Sequence, residues 1–297
     1  MYYILFGFLY ALSLLPFFIL YRLSDLVYFL MYYVFGYRKD IVMNNLSIAF
    51  PEKSAAEKKA IAKQFYKNLV DTFIESIKMI SMSSKAFDKR CTMECAAANA
   101  LGAAGKNIQF HSGHQMNWEY ANWVGARNVS IPWVGVYQHI SNAAVHKIFY
   151  NMRVRMGTLL VSTREFKDVR HLYFKSQYSL ALAADQNTAP HKGYWMYFFT
   201  KPVPFISGPD KGALKNNTAV VFVNVVKKKR GYYHYETKVI AESTEQYKPG
   251  ELTRIYRDFL EETIRREPAN YLWTHRRWRH EFTPQFEELW MDNRPKP

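Results

Sequence analysis

His114 and Glu119 stand five residues apart in the segment His114-Gln-Met-Asn117-Trp118-Glu119, read after the apolar stretch Asn107 to His111. A neutral imidazole can take a proton from an attacking hydroxyl. A carboxylate in reach of its second nitrogen then fixes the tautomer and stabilises the imidazolium that forms. A pair of this kind activates an acceptor hydroxyl directly, with no nucleophilic serine or cysteine. The same residues admit a plainer role, in which His114 caps a helix start and Glu119 balances the helix dipole.

Other chemistries fit less well. His111, His114 and Glu119 offer three donors, but zinc helices carry histidines at i and i+4 with the glutamate between them, so no metal is expected. Ser112 lacks the G-x-S-x-G elbow of a hydrolase serine. Cys91 and Cys95 have no further soft ligands nearby and are read as reduced, structural thiols. No cofactor is expected.

Something must hold these side chains, and the chain from about residue 100 alternates short apolar runs with longer amphipathic ones. Ile108 to Phe110, Val129 to Tyr137, Thr158 to Val161, Tyr178 to Ala184 and Ala219 to Val226 read as strands. Residues 117–126, 141–155 and 164–175 read as helices between them. The expected fold is α/β, a mostly parallel central sheet flanked by helices. The run Tyr232 to Ile240 follows Lys227-Lys-Lys-Arg230-Gly231 and should pair as a hairpin with its predecessor. In open parallel sheets ligands sit at the carboxyl ends of strands, where the loop holding His114 would lie.

Upstream, Ser54-Ala-Ala-Glu57 is a capping box that should open a long helix. Ile61, Phe65, Leu69, Phe73 and Ile77 form its apolar stripe. Lys58, Lys59, Lys63 and Lys67 lie on other faces, toward water or lipid headgroups. A last amphipathic helix should run from Pro249 to just before Pro268. The division expected is an anchor over 1–35 and a catalytic domain over 36–297, with a helical segment over 40–100, an α/β core over 101–245 and C-terminal helices over 246–297.

Residues 1 to 21 carry no charged side chain, and only Arg22 and Asp25 interrupt the apolar character through Phe35. That length can span a bilayer or lie in it. With no basic n-region and no small-residue cleavage site, it is read as a retained N-terminal membrane-anchoring helical segment. Arg38 and Lys39 follow it, which by the positive-inside rule sets the body on the cytoplasmic side. The whole chain has 40 Lys and Arg against 25 Asp and Glu, a net charge of +15, and 22 Tyr, 21 Phe and 7 Trp. An anionic partner fits that charge, and the aromatic content favours a membrane interface over nucleic acid.

In order and spacing, the motifs resemble the bacterial late acyltransferases of lipid A biosynthesis, within the wider lysophospholipid acyltransferase superfamily. They are Asn44-Asn45-Leu46-Ser-Ile-Ala-Phe50-Pro51-Glu52, His114 to Glu119, Val134-Gly-Val-Tyr137, Arg153-Val-Arg155-Met-Gly157, Ala184-Asp185-Gln186-Asn187, Phe198-Phe199, Ser207-Gly208-Pro209, and Tyr271-Leu-Trp-Thr-His275-Arg276-Arg277-Trp278. The resemblance covers nearly the whole chain. It implies transfer of a fatty acyl group from acyl carrier protein, or less often coenzyme A, to a hydroxyl of a lipid-bound sugar. It implies His114 as general base, Glu119 as the acid that orients it, and an enzyme at the bacterial inner membrane, expected to be monomeric.

Several further residues are candidates for substrate. Arg153 or Arg155 could grip the oxyanion or a substrate phosphate. Asn117 falls inside the motif. Asp185 and Gln186 could bind acceptor hydroxyls, or order their loop by Asx-type hydrogen bonds. Ser207 to Asp210 reads as a capped helix start, with phosphate binding as its other use. Arg276 and Arg277 suit a headgroup phosphate or an acidic carrier, and equally a solvated helix end. Family members often carry an arginine where this chain has Gln138, so its acceptor's phosphate pattern could differ. A glycerophospholipid or an aminolipid stays open as acceptor, and a non-catalytic lipid-binding protein is the distant alternative.

Overall fold

The computed structural model describes residues 2–297, with the side chains of all but Lys167 and Arg170 among them. Pro16, which lacks an amide hydrogen, divides the apolar opening into α1 (Tyr2–Leu14) and α2 (Phe17–Phe29). The second continues through a π turn, Leu30–Val34, and the helical stretch Phe17–Val34 is long and apolar enough to cross a membrane. It is not free of the body. Leu20, Ser24 and Tyr28, one turn apart, are buried against the long helix described next. Phe18, Leu26, Phe29 and Tyr33 stay exposed on its other side.

After α3 (Lys39–Ala49), the capping box opens α4 (Ala55–Met79) as expected. Ser54 Oγ accepts from the Glu57 amide, and the Glu57 carboxylate accepts from the Ser54 amide at 2.8 Å. The expectation of one buried and one wet face is corrected. Toward its C-terminal end α4 is covered on two sides, and a polar row of Asn68, Asp71, Thr72, Glu75 and Ser76 is buried along with Phe65, Leu69 and Ile74. The lysines Lys63 and Lys67 lie over the rings of Tyr33 and Tyr28, so part of the lysine row borders α2.

The remaining elements are α5 (Ser84–Asp88), β1 (Cys91–Met93), α6 (Ala96–Ala103), β2 (Ile108–Ser112), α7 (Trp118–Asn128), β3 (Trp133–Tyr137), α8 (Ala143–Val154), β4 (Leu159–Ser162), α9 (Phe166–Tyr173), β5 (Ser179–Ala183), β6 (Gly193–Phe198), β7 (Lys201–Ile206), α10 (Gly208–Asn216), β8 (Ala219–Lys229), β9 (Tyr232–Ala241) and α11 (Glu251–Arg266). Seven strands form one sheet in the order β1-β9-β8-β2-β5-β3-β4. Its pairs are parallel except β8 with β9, the expected hairpin. β2 is central, and Ile108, Gln109, Phe110 and His111 are all buried, as a strand covered on both faces requires.

The connections at β2 and β5 create the crevice that holds the site. From β2 the chain passes through α7 to β3, beyond β5; from β5 it passes through β6, β7 and α10 to β8, beyond β2. The two neighbouring strands therefore send their loops apart, and a cleft opens at their carboxyl ends.

The structure adds a β6–β7 hairpin to the expected strands; Pro202 and Pro204 are tolerated in it because both members of a two-stranded pair are edge strands. The C-terminal helices expected over 246–297 reduce to α11, and the remainder is turns and short 3-10 segments, Pro268–Asn270 and Pro284–Leu289.

Candidate active site

His114 stands in the loop after β2, and the carboxylate on its imidazole is Asp185. Nδ1 of His114 lies 2.7 Å from one Asp185 oxygen, and the backbone amide of His114 donates to the other at 2.8 Å. Asp185 is the second residue of the loop after β5, and Ala184, just before it, donates its amide to the Ser112 carbonyl at 2.9 Å. The expectation that Glu119 orients the imidazole is thereby corrected. Glu119 sits in the first turn of α7 and pairs with Arg153, whose Nε donates to it at 2.8 Å. An i+5 partner on a helix start is carried past the imidazole, whereas the neighbouring strand delivers a carboxylate to it.

The charges follow from this geometry. Burial raises the Asp185 carboxyl, but the His114 charge, its two hydrogen bonds and the nearby Arg277 outweigh burial and hold it down at about 2. Burial opposes the His114 imidazolium, and attraction to Asp185, with Glu119 beyond it, more than compensates, so its pKa lies above the ordinary value. With Asp185 ionised, Nδ1 carries the proton and donates to it. Nε2 is then the basic nitrogen, and the Gln186 amide nitrogen approaches it at 3.2 Å.

Nε2 faces a cavity of about 910 Å³, whose lining includes Trp118, Tyr137, Leu160, Phe174, Leu180 and Leu182. Such a volume is at the upper end for a small-molecule site, and its lining is mostly apolar. Glu119, Arg153, Gln186 and Gln138 also reach it. His111, two residues before Gly113 on β2, is elsewhere: it stacks on Phe222 in the core, and burial pushes its pKa down to about 3.

The floor of the loop comes from the far end of the chain. The Met116 amide donates to Asn270, the Leu272 amide donates to His114, and the Tyr256 hydroxyl donates to Ser112. Gly113 allows α11 this close: a Cβ there would stand 2.8 Å from Leu260 Cδ1.

The other candidates separate into two groups. Arg153, Asp185 and Gln186 are brought together with His114 and Glu119. Asn117 is fully buried and not open to substrate; its side chain accepts from the Glu119 and Tyr120 amides as the cap of α7. Arg155 is also not at the cavity, since its guanidinium donates to the carbonyls of Met79, Ile80 and Met82 at and just past the end of α4. Arg276 is exposed, and Arg277 is buried over the Phe205 ring and donates to Asn187 at 2.6 Å. Ser207 opens α10 without a side-chain cap. Asp185 was placed among the acceptor-binding residues; only the β2–β5 pairing reveals it as the imidazole's partner.

An imidazole held by a buried carboxylate, at the wall of a largely apolar cavity, is suited to activating a hydroxyl beside a fatty chain. No individual curated protein matches the chain. A family described as bacterial lipid A biosynthesis acyltransferase matches residues 1–280, and nearly the whole sequence is thus accounted for by enzymes that transfer acyl groups. The chain belongs to the bacterial lipid A biosynthesis acyltransferase family.

Proposed function

We propose that this acyltransferase moves a fatty acyl chain from acyl carrier protein to a hydroxyl of a lipid A-type glycolipid precursor, at the cytoplasmic face of the bacterial inner membrane. Coenzyme A is the alternative carrier. The observation that carries the reading is the His114–Asp185 pair with Nε2 directed at the apolar cavity.

In this mechanism the acceptor hydroxyl takes the place of the Gln186 amide at Nε2. Its oxygen attacks the thioester carbonyl as its proton passes to Nε2, and Asp185 stabilises the imidazolium. The tetrahedral intermediate collapses, the carbon–sulfur bond breaks, and the imidazolium proton goes to the leaving thiolate. Ester and free thiol are the products. A thioester is already activated, so positioning and charge stabilisation suffice. The displaced Gln186 amide and Arg153 are the donors available to the oxyanion, and Glu119 keeps Arg153 in place.

Membrane attachment is supported by the exposed apolar residues of the first two helices, among them Ile4, Phe8 and Phe18. Nearer the site, exposed Phe73 of α4 packs edge-on against Trp118, and Trp118 packs on His114 with ring centroids 5.9 Å apart. Acceptor chains could rest on these rings while the hydroxyl reaches Nε2. The net charge of +15 favours phosphorylated lipid and acidic carrier.

Gln138 at the cavity, where an arginine is common in the family, keeps a second reading in play, in which the acceptor is a glycerophospholipid or an aminolipid. Mass spectrometry of total lipids from cells with and without the protein tests both. Loss of one acyl chain from lipid A supports the first reading, and loss from another lipid replaces it by the second. Purified His114→Ala protein should retain its fold and lose turnover by roughly 10²- to 10⁴-fold, the range for a general base.

A further inference from the structure

Glu75 lies near the C-terminal end of α4, fully buried, and the proposed mechanism makes no use of it. Its two oxygens join three separate parts of the protein. One accepts the Tyr21 hydroxyl of α2 at 3.0 Å. The other accepts the Asn117 side-chain amide at 3.0 Å and the Tyr233 hydroxyl of β9 at 2.8 Å. A carboxylate is the only side chain that offers acceptors alone, and here it meets three donors.

Asn117 is the junction between the His114 loop and α7. Its side-chain oxygen accepts from the Glu119 and Tyr120 amides, its side-chain nitrogen donates to Glu75, and its carbonyl accepts from the Tyr235 hydroxyl. All the polar atoms of the side chain are therefore engaged, and Glu75 is what keeps the amide from rotating out of the cap. Next to it on α4, Thr72 touches Met116 Sδ at 3.4 Å, so α4 backs the loop at two consecutive turns.

We propose that Glu75 is a positioning residue for the catalytic loop, and that through Tyr21 it makes α2 part of the active-site scaffold as well as an anchor. It acts through Asn117, which fixes where α7 begins and hence where Glu119 stands relative to Arg153 and His114. The proposal rests on His114 being the base. Burial, with the Asp71 charge beside it, pushes the Glu75 carboxyl up to about 7, against Lys227 and the hydrogen bonds of Tyr233 and Asn117. An isosteric amide keeps most of these hydrogen bonds without the charge, whereas losing the oxygens leaves buried donors unpaired.

That contrast supplies the experiment, on the full-length protein in detergent. Glu75→Gln keeps an oxygen for Asn117 and Tyr233 and turns its amide toward the Tyr21 oxygen. Glu75→Leu removes every acceptor. Turnover is measured on a short-chain, detergent-dispersed lipid A analogue, and the His114 imidazole is titrated by NMR with labelled histidine and no substrate present. Glu75→Leu should lower kcat on the order of 100-fold, as expected for a misplaced catalytic group, with KM for the acyl donor unchanged. Its His114 pKa should fall as Glu119 moves away, and Glu75→Gln should restore both properties.

A folded Glu75→Leu protein with wild-type kcat and wild-type His114 titration overturns the proposal, as does a Glu75→Gln protein equally impaired. Should Glu75→Leu fail to fold, Tyr21→Phe decides. Losing that one hydroxyl should reduce kcat by about 5-fold, the rate equivalent of one ordinary hydrogen bond, and shift the His114 titration. An unchanged Tyr21→Phe enzyme refutes the role. Because the titration needs no substrate, a protein that acylates no lipid defeats the functional reading while Glu75 is still tested.

Discussion

His114 and Asp185 are 71 residues apart, the same offset that relates every pair from Ile108 with Ser179 to Ser112 with Ala183 along β2 and β5. The His114–Asp185 pair is thus the ladder carried two residues past the strand ends. Its geometry is set by sheet register, and a register is harder to deform than a helix turn or a free loop.

If Asp185 orients the base and Glu119 secures Arg153, their amide variants should fail differently. Asp185→Asn should lower kcat by roughly 10⁴-fold, as when a triad aspartate is replaced and the imidazole tautomer is lost. Glu119→Gln should lower kcat less, through a loosened Arg153, and destabilise the fold by about 3 kcal/mol, because Arg153 is left largely buried without its counter-ion. Kinetics and thermal melts on both proteins check this. Equal catalytic losses with unchanged melting would return Glu119 to the imidazole.

The rate should depend on pH with a definite sign. Only neutral His114 accepts a proton, and its pKa is raised, so kcat/KM should rise with pH through a midpoint above about 6.5 and then level off. In Asp185→Asn the raising partner is gone while burial still disfavours the charge. The midpoint should move below that of the wild type, on a lower plateau. A midpoint that stays put in the variant would separate Asp185 from the titrating group.

Arg155→Ala should alter stability more than substrate binding. The guanidinium holds three carbonyls at and just past the C-terminal end of α4 and is itself exposed, so its loss should cost about 1 kcal/mol. KM for donor and acceptor should remain at wild-type values. A raised KM with an unchanged melting temperature would restore Arg155 to the substrate site.

At Gly113 the issue is room. Ala at this position would press on Leu260 at 2.8 Å and displace the His114 loop, lowering kcat on the order of 10- to 100-fold. Combining it with Leu260→Ala should recover part of the loss, because the clash is relieved. If the double variant is no faster than Gly113→Ala alone, helix proximity is not the reason for glycine.

Much of this arrangement could be read from the sequence, and the misses share a physical cause. Periodicity located β2, β5, α7 and α8 to within a few residues, because alternation and helical spacing are local signals. The Ser54–Glu57 box named the start of α4 because capping is local chemistry. His114 was found through its motif and Asp185 only as a polar residue at the same sheet edge, since partnership between them depends on which strands are neighbours. Sequence order puts β3 and β4 between β2 and β5, and spatial order does not. Arg155 and Asn117 were misjudged for a related reason: both satisfy backbone groups on elements that local spacing leaves unseen.

The floor beneath His114 also has a consequence for the timing of synthesis. His114, Asp185 and the cavity walls are all made well before Asn270 and Leu272, which must hydrogen-bond to the His114 loop. A ribosome that has translated the whole sheet is therefore still holding an inactive enzyme. Competence to cleave thioesters should appear only when the segment through Trp273 leaves the exit tunnel. Chains stalled just before and just after that release should differ sharply in turnover of an acyl thioester, and activity in the shorter ones would contradict it. If the first helices attach the chain to a membrane as proposed, a half-made chain would in this way be unable to squander acyl donor before the acceptor site is complete.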